Sequence, residues 1–256
     1  MIIDAHMHLG LMSGYFLPDD HLERVVETMD FLGIDYGIQM NMAGFVNHGT
    51  LEVDSSMKHF ELSKGRIFYH LIFDPHYGEQ SLELIEKNMK SKGFLGIKIH
   101  PSIHNLYADD PRYEIVWQFA ALHKLPIVSH TWAESSYNPT QKYSTPEHFE
   151  KYIQQFPQVT FVMGHGGGRF AGYLAAIKLA KKYPSIILDT SGDVSDFGLL
   201  KMQVDEIGAA RVVFGSDLNM MDERTVLGRI YDADITLEEK KMILGENACR
   251  LFKMPI

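Results

Sequence analysis

The 256-residue chain has one cysteine, Cys249, so no intramolecular disulfide can form and thiolate-rich zinc or iron–sulfur sites are excluded. It has no run of about 18 apolar residues, the length a membrane-crossing helix needs. Its opening, Met1-Ile2-Ile3-Asp4-Ala5-His6, lacks a basic stretch followed by an apolar one and does not read as a signal peptide. Positive charge is scarce. Lys and Arg number 24 against 33 Asp and Glu, a formal net charge of −9. That is a poor footprint for nucleic acid or an anionic membrane, and no basic run exceeds the pairs Lys181-Lys182 and Lys240-Lys241. The expectation is a soluble, cytoplasmic protein with a small molecule as partner, and neither nucleic acid nor membrane. Apolar residues are 45% and charged residues 22%, ordinary for a globular chain long enough to bury a full core. No linker or low-complexity segment appears, so residues 1–256 read as one domain.

What is there is a rhythm. Short β-branched apolar runs alternate with amphipathic stretches eight times. The runs lead to His8, then cover 34–42, 66–73, 94–100, 126–130, 159–165, 185–190 and 211–217. Between the first two, Leu22, Val25, Val26, Met29 and Leu32 recur at helical spacing before Gly33. Strand–helix alternation predicts a parallel sheet with helices outside, and eight units suggest closure into a single (β/α)₈ barrel. Extra C-terminal helices follow. Thr236-Leu237-Glu238-Glu239 is a capping box, Gly245 is expected to end its helix, and residues 247–252 form a last short one. The main competitor is a doubly wound open sheet. Gly164-His165-Gly166-Gly167-Gly168 is not a dinucleotide fingerprint, because it does not follow the first strand as G-x-G-x-x-G.

Buried parallel strands should be nearly all apolar. Four break the rule at their C-terminal ends, with His6-Met7-His8, His130, His165 and Asp217. A barrel places its active site at that face, so the four ends converge on one mouth. His6 and His8 are two apart and share one side of their strand, which suits two imidazoles on one ion. His130 can add a nitrogen and Asp217 an oxygen, leaving a position for water. A lone histidine at a strand end is usually only a satisfied polar residue; four ligand-type strand ends on one face carry the inference.

These residues lie in segments that resemble a known family. Ile3-Asp4-Ala5-His6-Met7-His8-Leu9-Gly10 looks like the opening of the amidohydrolase superfamily. Gly96-Ile97-Lys98-Ile99-His100-Pro101, Pro126-Ile127-Val128-Ser129-His130-Thr131, Val162-Met163-Gly164-His165-Gly166-Gly167, Val213-Phe214-Gly215-Ser216-Asp217 and the tail Asn247-Ala248-Cys249-Arg250-Leu251-Phe252 resemble later motifs of its amidohydrolase 2 branch. That branch includes aminocarboxymuconate-semialdehyde decarboxylase and related hydrolases. The resemblance implies a metal-dependent enzyme in which His6, His8, His130 and Asp217 hold one divalent ion, zinc first, with manganese or another metal open. It implies that His165 is an acid/base and that Asp217 also serves the chemistry. In binuclear relatives a carboxylated lysine bridges two ions. A carbamylated Lys98 with a second ion therefore stays open, beside a plain second contact for Lys98 and His100. Relatives often form homodimers.

The implied activity is hydrolysis of a small, carboxylate-bearing molecule by metal-activated water. The alternative is metal-dependent decarboxylation, and a third reading is a TatD-like nuclease or phosphoesterase. TatD-type enzymes normally carry a glutamate where this chain has Lys98, and −9 does not suit a polyanionic substrate. A barrel that merely binds metal or ligand is the non-catalytic reading. Arg169, Asn41, Asp74 and Trp132 are weaker candidates for substrate contact, with His76 and Asp193 beside them.

Overall fold

The computed structural model describes residues 1–10, 21–45, 50–169 and 171–256. Eight parallel strands follow one another around a barrel in the order β1 to β8. They are β1 (Ile3–Leu9), β2 (Tyr36–Asn41), β3 (Ile67–Ile72), β4 (Phe94–Ile99), β5 (Ile127–His130), β6 (Phe161–Gly164), β7 (Ile186–Asp189) and β8 (Val212–Val213). The helices are α1 (Leu22–Leu32), α2 (Thr50–Leu62), α3 (Gly78–Asn88), the single turn α4 (Pro101–His104), α5 (Glu114–His123), α6 (Glu150–Gln155), α7 (Ala171–Lys182), α8 (Leu199–Ile207), α9 (Glu223–Asp232), α10 (Leu237–Lys241) and α11 (Asn247–Phe252). The last strand is short, and β1 meets its extension through a parallel bridge between Met7 and Leu218. The Ala5 N–H donates to Phe214 O at 2.8 Å and the Asp217 N–H to His6 O at 2.8 Å. The barrel is thus nearly closed.

Strand alternation sorts the apolar residues into two cores. Ile3, Ala5, Ile38, Met40, Phe68, Leu95, Val128, Val162, Ile187 and Val213 form the inner one, and Ala248, Phe252 and Met254 from α11 and its tail pack into it. Their neighbours, such as Tyr69, Leu71, Phe161, Met163, Ile186 and Leu188, belong to the outer core with Trp117, Ile177 and Ile230 of the surrounding helices. Both strand faces are buried, which is why the strands read as continuous apolar runs.

One tail expectation is corrected. The Thr236–Glu239 capping box is present, but Gly245 does not end a helix. It lies inside a π-helical segment, Met242–Glu246, that joins α10 to α11. A Cβ at Gly245 would stand 2.6 Å from Met1 O. Glycine is there for close approach of the N-terminal backbone, not for a left-handed stop.

Behind β3, the wholly buried Glu52 of α2 accepts the Ile72 N–H at 2.8 Å through Oε1, while Oε2 has no partner. Burial holds this carboxyl well above the ordinary range. The folded state therefore binds the Glu52 proton more tightly than the unfolded chain, and stability falls as pH rises above the unfolded value. Glu52→Gln keeps an acceptor for Ile72 and removes the charge. The variant is expected to melt above the wild type at pH 8, by roughly 2–4 °C for each kcal/mol gained in a chain of this size, and to lose the advantage by pH 5. Thermal melts at both pH values check this; a gap that grows on acidification contradicts it.

Candidate metal centre

The site is the top layer of the inward-facing stack. Counting upward by twos, Val128 leads to His130, Ile187 to Asp189 and Ser191, and Val213 through Gly215 to Asp217. β1 reaches it differently. Its register with β2 slips between Asp4 and Met7, so Ala5 and His6 oppose one residue. After this bulge Met7 and Leu9 pack in the outer core and His6 and His8 turn toward Asp217. Bulges commonly re-aim side chains beside active sites. Two glycines make room for the His6 ring. A Cβ on Gly164 would lie 2.9 Å from His6 Cε1 and 2.7 Å from Ser129 O, and one on Gly215 would lie 2.6 Å from His6 Cβ. His165 and Asp217 both carry positive φ, 64° and 67°. That conformation disfavours non-glycine residues and clusters at functional sites.

His6, His165 and Asp217 are buried, and one ligand atom from each lies within 4.8 Å of the others. His8 joins their edge, with Nε2 3.1 Å from Asp217 Oδ1; His6 Nε2 is 3.8 Å from the same oxygen. The protons decide what this arrangement is for. Asp189 Oδ2 stands 2.6 Å from His6 Nδ1, and Met40 O stands 2.9 Å from His8 Nδ1. A carboxylate and a carbonyl can only accept, so both Nδ1 atoms donate. The neutral His6 ring then presents its Nε2 lone pair toward Asp217, itself an acceptor, and His8 Nε2 faces the same oxygen. Acceptors that face one another need a proton or a cation among them; the buried Lys98 ammonium, with Nζ 3.3 Å from His6 Nε2, meets the His6 side and leaves the His8–Asp217 edge for an ion. Histidine ligands typically donate their other N–H to a carboxylate or backbone carbonyl, and His6 and His8 do so. The residues present fit a divalent ion.

The charges agree. Burial, then the Lys98 charge, lowers the His6 pKa to about 4, keeping the ring neutral. Burial alone would raise the Asp217 carboxyl, but His165, His8 and His6 outweigh it and hold it well below the ordinary range. Asp189 is likewise held low against burial, by His6 and His165. Lys98 is buried, with Nζ 3.3 Å from His6 Nε2, so β4 adds positive charge beside the same lone pairs.

The other expected residues divide. His130 stands beside the close group, hydrogen-bonded to its His165 on one nitrogen and to Gln141 on the other. Nδ1 is 2.9 Å from His165 Nε2 and Nε2 is 2.7 Å from Gln141 Oε1. Its ring lies between His100, stacked at 4.1 Å and 9°, and Trp132, parallel at 6.0 Å. Trp132 also meets His165 edge-on at 5.2 Å. Asn41 spends itself locally, accepting the Ala43 N–H and donating to Ser55. Asp74 accepts the His76 N–H in a turn. Arg169 is ion-paired with Asp193 at the surface.

Sequence reasoning missed Asp189 and Ser191. Ser191 Oγ lies 2.9 Å from His165 Nδ1, 3.2 Å from His6 Nδ1 and 2.6 Å from Asp189 Oδ1. Asp189 Oδ1 also accepts the His165 N–H at 2.7 Å. The signal was present: strand seven is a buried apolar run that breaks into Asp189, as strand eight breaks into Asp217.

A profile of the Amidohydrolase family matches residues 3–254. The chain belongs to this family. A comparison with curated protein sequences finds no match. Among solved structures, 2,6-dihydroxybenzoate decarboxylase complexed with 2,6-dihydroxybenzoate is similar at 16% identity and a TM-score of 0.80, with 99% of each chain covered. A dihydroxybenzoic acid decarboxylase from Polaromonas sp. JS666, with bound manganese and the inhibitor 2-nitroresorcinol, is 18% identical at a TM-score of 0.78, covering 98% of this chain and 96% of that one. 5-Carboxyvanillate decarboxylase from Sphingomonas paucimobilis is 16% identical at 0.76, with 99% of each covered.

Asp189 fixes the His6 proton and ring. Asp189→Asn can place an amide N–H against Nδ1 and favour the tautomer with its proton on Nε2. Affinity for manganese or zinc is expected to fall roughly 10- to 100-fold, the usual loss for such a partner, as read by equilibrium dialysis. Unchanged affinity would remove Asp189 from the centre.

Proposed function

We propose that this protein is a metal-dependent decarboxylase of a small aromatic or unsaturated carboxylic acid. The observation that carries the reading is the convergence of His6 Nε2, His8 Nε2 and Asp217 Oδ1 beside His165, which itself lines a cavity. The cavity is about 760 Å³ and includes His165, Asp189 and Ser191 in its wall, a size that suits a small ligand. The relatives' decarboxylase activities support this reading and set decarboxylation ahead of hydrolysis.

His6, His8 and Asp217 would hold the divalent ion, manganese or zinc, with His165 close enough to join them. When bound, the ion supplies positive charge for a substrate oxygen and for charge that develops in the transition state. The chain's own residues do the rest. Apolar walls exclude water around the substrate body. Lys98 adds a second positive charge for the carboxylate. His165 delivers the proton: the bond from carbon to the carboxylate breaks, its electron pair stays on carbon and takes up that proton, and carbon dioxide leaves.

The hydrogen-bond chain Gln141–His130–His165–Ser191 suits the proton's return. If Gln141 Oε1 accepts from His130 Nε2, then His130 Nδ1 must accept from His165 Nε2–H. If Ser191 meanwhile donates to Asp189, its oxygen accepts from His165 Nδ1–H, and His165 carries both protons. Otherwise the Gln141 amide is turned over and His165 is neutral. The two arrangements differ by one proton on His165, which is what an acid/base group requires. In this reading His130 passes protons and does not ligate the ion, and His100 and Trp132 keep its ring in place.

A screen of manganese-loaded protein against aromatic and unsaturated carboxylic acids, lactones and amides tests the reading. Release of carbon dioxide from an acid is expected, and removal of the metal should abolish it. Turnover of lactones or amides alone would replace decarboxylation with hydrolysis. His165→Asn should keep the bound metal and lose roughly 10²–10⁴-fold in rate; full rate with metal retained would take His165 out of the chemistry.

A further inference from the structure

The cavity does not end at the metal centre. It meets the centre at His165, Asp189 and Ser191 and runs outward between α8 and α9, past Val194, Val226 and Ile230. Arg229 forms part of its wall, as do acids such as Asp196, Asp232 and Asp234. Arg229 lies in the last turn of α9. One guanidinium nitrogen donates to Thr190 O at 3.0 Å. Among the described residues it has no ion pair. The acid whose field reaches it, Asp193, is itself paired with Arg169. Burial lowers the Arg229 pKa, with Asp193 opposing. Two acids of the same wall, Asp205 and Glu206, are paired with Lys201 and Lys181, whereas a half-buried guanidinium with most of its five N–H donors uncommitted is unfavourable until an anion meets it. A planar guanidinium suits a carboxylate, which it can hold by two parallel hydrogen bonds.

We infer that Arg229 seats a second carboxylate of the substrate, so that the site takes dicarboxylic acids with an apolar body: one carboxylate at the metal centre, the other on Arg229. This rests on the decarboxylase reading for its first half only. Thr190, which Arg229 holds, lies between Asp189 and Ser191, so the anion seat and the metal centre are joined by a single stretch of backbone at the end of β7.

The alternative is that Arg229 only anchors that backbone. Calorimetric titration of manganese-loaded protein with benzene-1,3-dicarboxylate, benzene-1,4-dicarboxylate and benzoate separates the two. The wild type is expected to bind at least one dicarboxylate tenfold or more tightly than benzoate. Arg229→Gln should erase that preference while leaving benzoate affinity and the melting temperature unchanged. Arg229→Lys, which keeps the charge without the planar fork, should retain part of it. No dicarboxylate preference in the wild type overturns the inference, whether or not the variants fold. So does equal loss of benzoate and dicarboxylate binding in Arg229→Gln with a lowered melting temperature, the mark of an anchor alone. An Arg229-dependent preference without release of carbon dioxide would leave the seat standing and sink the decarboxylase reading; release of carbon dioxide without the preference would do the reverse.

Discussion

The centre depends on where two protons sit. Asp189 holds one on Nδ1 of His6 and the Met40 carbonyl holds the other on Nδ1 of His8. With those sides occupied, each ring turns its Nε2 toward Asp217, and the neutral His6 ring has its lone pair there. The partners are unlike, and the difference is informative. A carbonyl belongs to the neighbouring strand and cannot change its charge. Asp189 is an anion at the end of β7, two strands away round the barrel, and it ties His6 to His165 through its second oxygen and Ser191. The first histidine is thus joined to the His165 side of the pocket, whereas the second is fixed by barrel geometry alone.

Barrel architecture explains why these side chains meet. Each strand contributes alternate residues to the interior, and the inner core is complete by the layer of Val128, Val162, Ile187 and Val213. The next inward positions have no apolar partner above them, and they carry His130, Asp189 and, after glycines, the turns bearing His165 and Asp217. On β1 the same result needs a bulge, because Ile3 and Ala5 occupy the interior by one parity and His6 and His8 by the other. A bulge-free β1 could satisfy the lower core or the centre, but not both.

The order of strands and the ring of helices were legible because short continuous apolar runs alternate with amphipathic stretches along the chain. His6, His8 and Asp217 were legible because ligand-type residues interrupt buried strands. What could not be read was which nitrogen faces which neighbour. His130 looks in sequence like any other strand-end histidine, yet Gln141, eleven residues on in the short 3-10 helix Pro139–Ser144, occupies its Nε2. Ser191 and Asp189 were hidden for the same reason: their value lies in contacts across 183 and 185 residues to His6. Gly245 misled because a glycine after a helical run signals a stop only when its φ is positive, and here a crossing backbone called for it. Arg169 and Arg229 show the same limit. The one beside the glycine-rich turn is consumed by a surface ion pair, while the one in the last turn of α9 lines the cavity.

Stability and function pull in opposite directions at this rim. Buried neutral imidazoles, a depressed carboxylate and a buried lysine are costly in an apolar interior unless their fields cancel, and His165 and Asp217 add left-handed backbone. The inner apolar stack and the outer helix-facing core supply the stability that lets one layer be arranged for chemistry. An ion bound only by the folded state would return part of that cost by mass action, since it would fill the space where acceptors face one another. The centre and the fold are linked in that sense. The apolar stack brings acceptors together that water would otherwise solvate, and their mutual repulsion is what gives the pocket its demand for a cation.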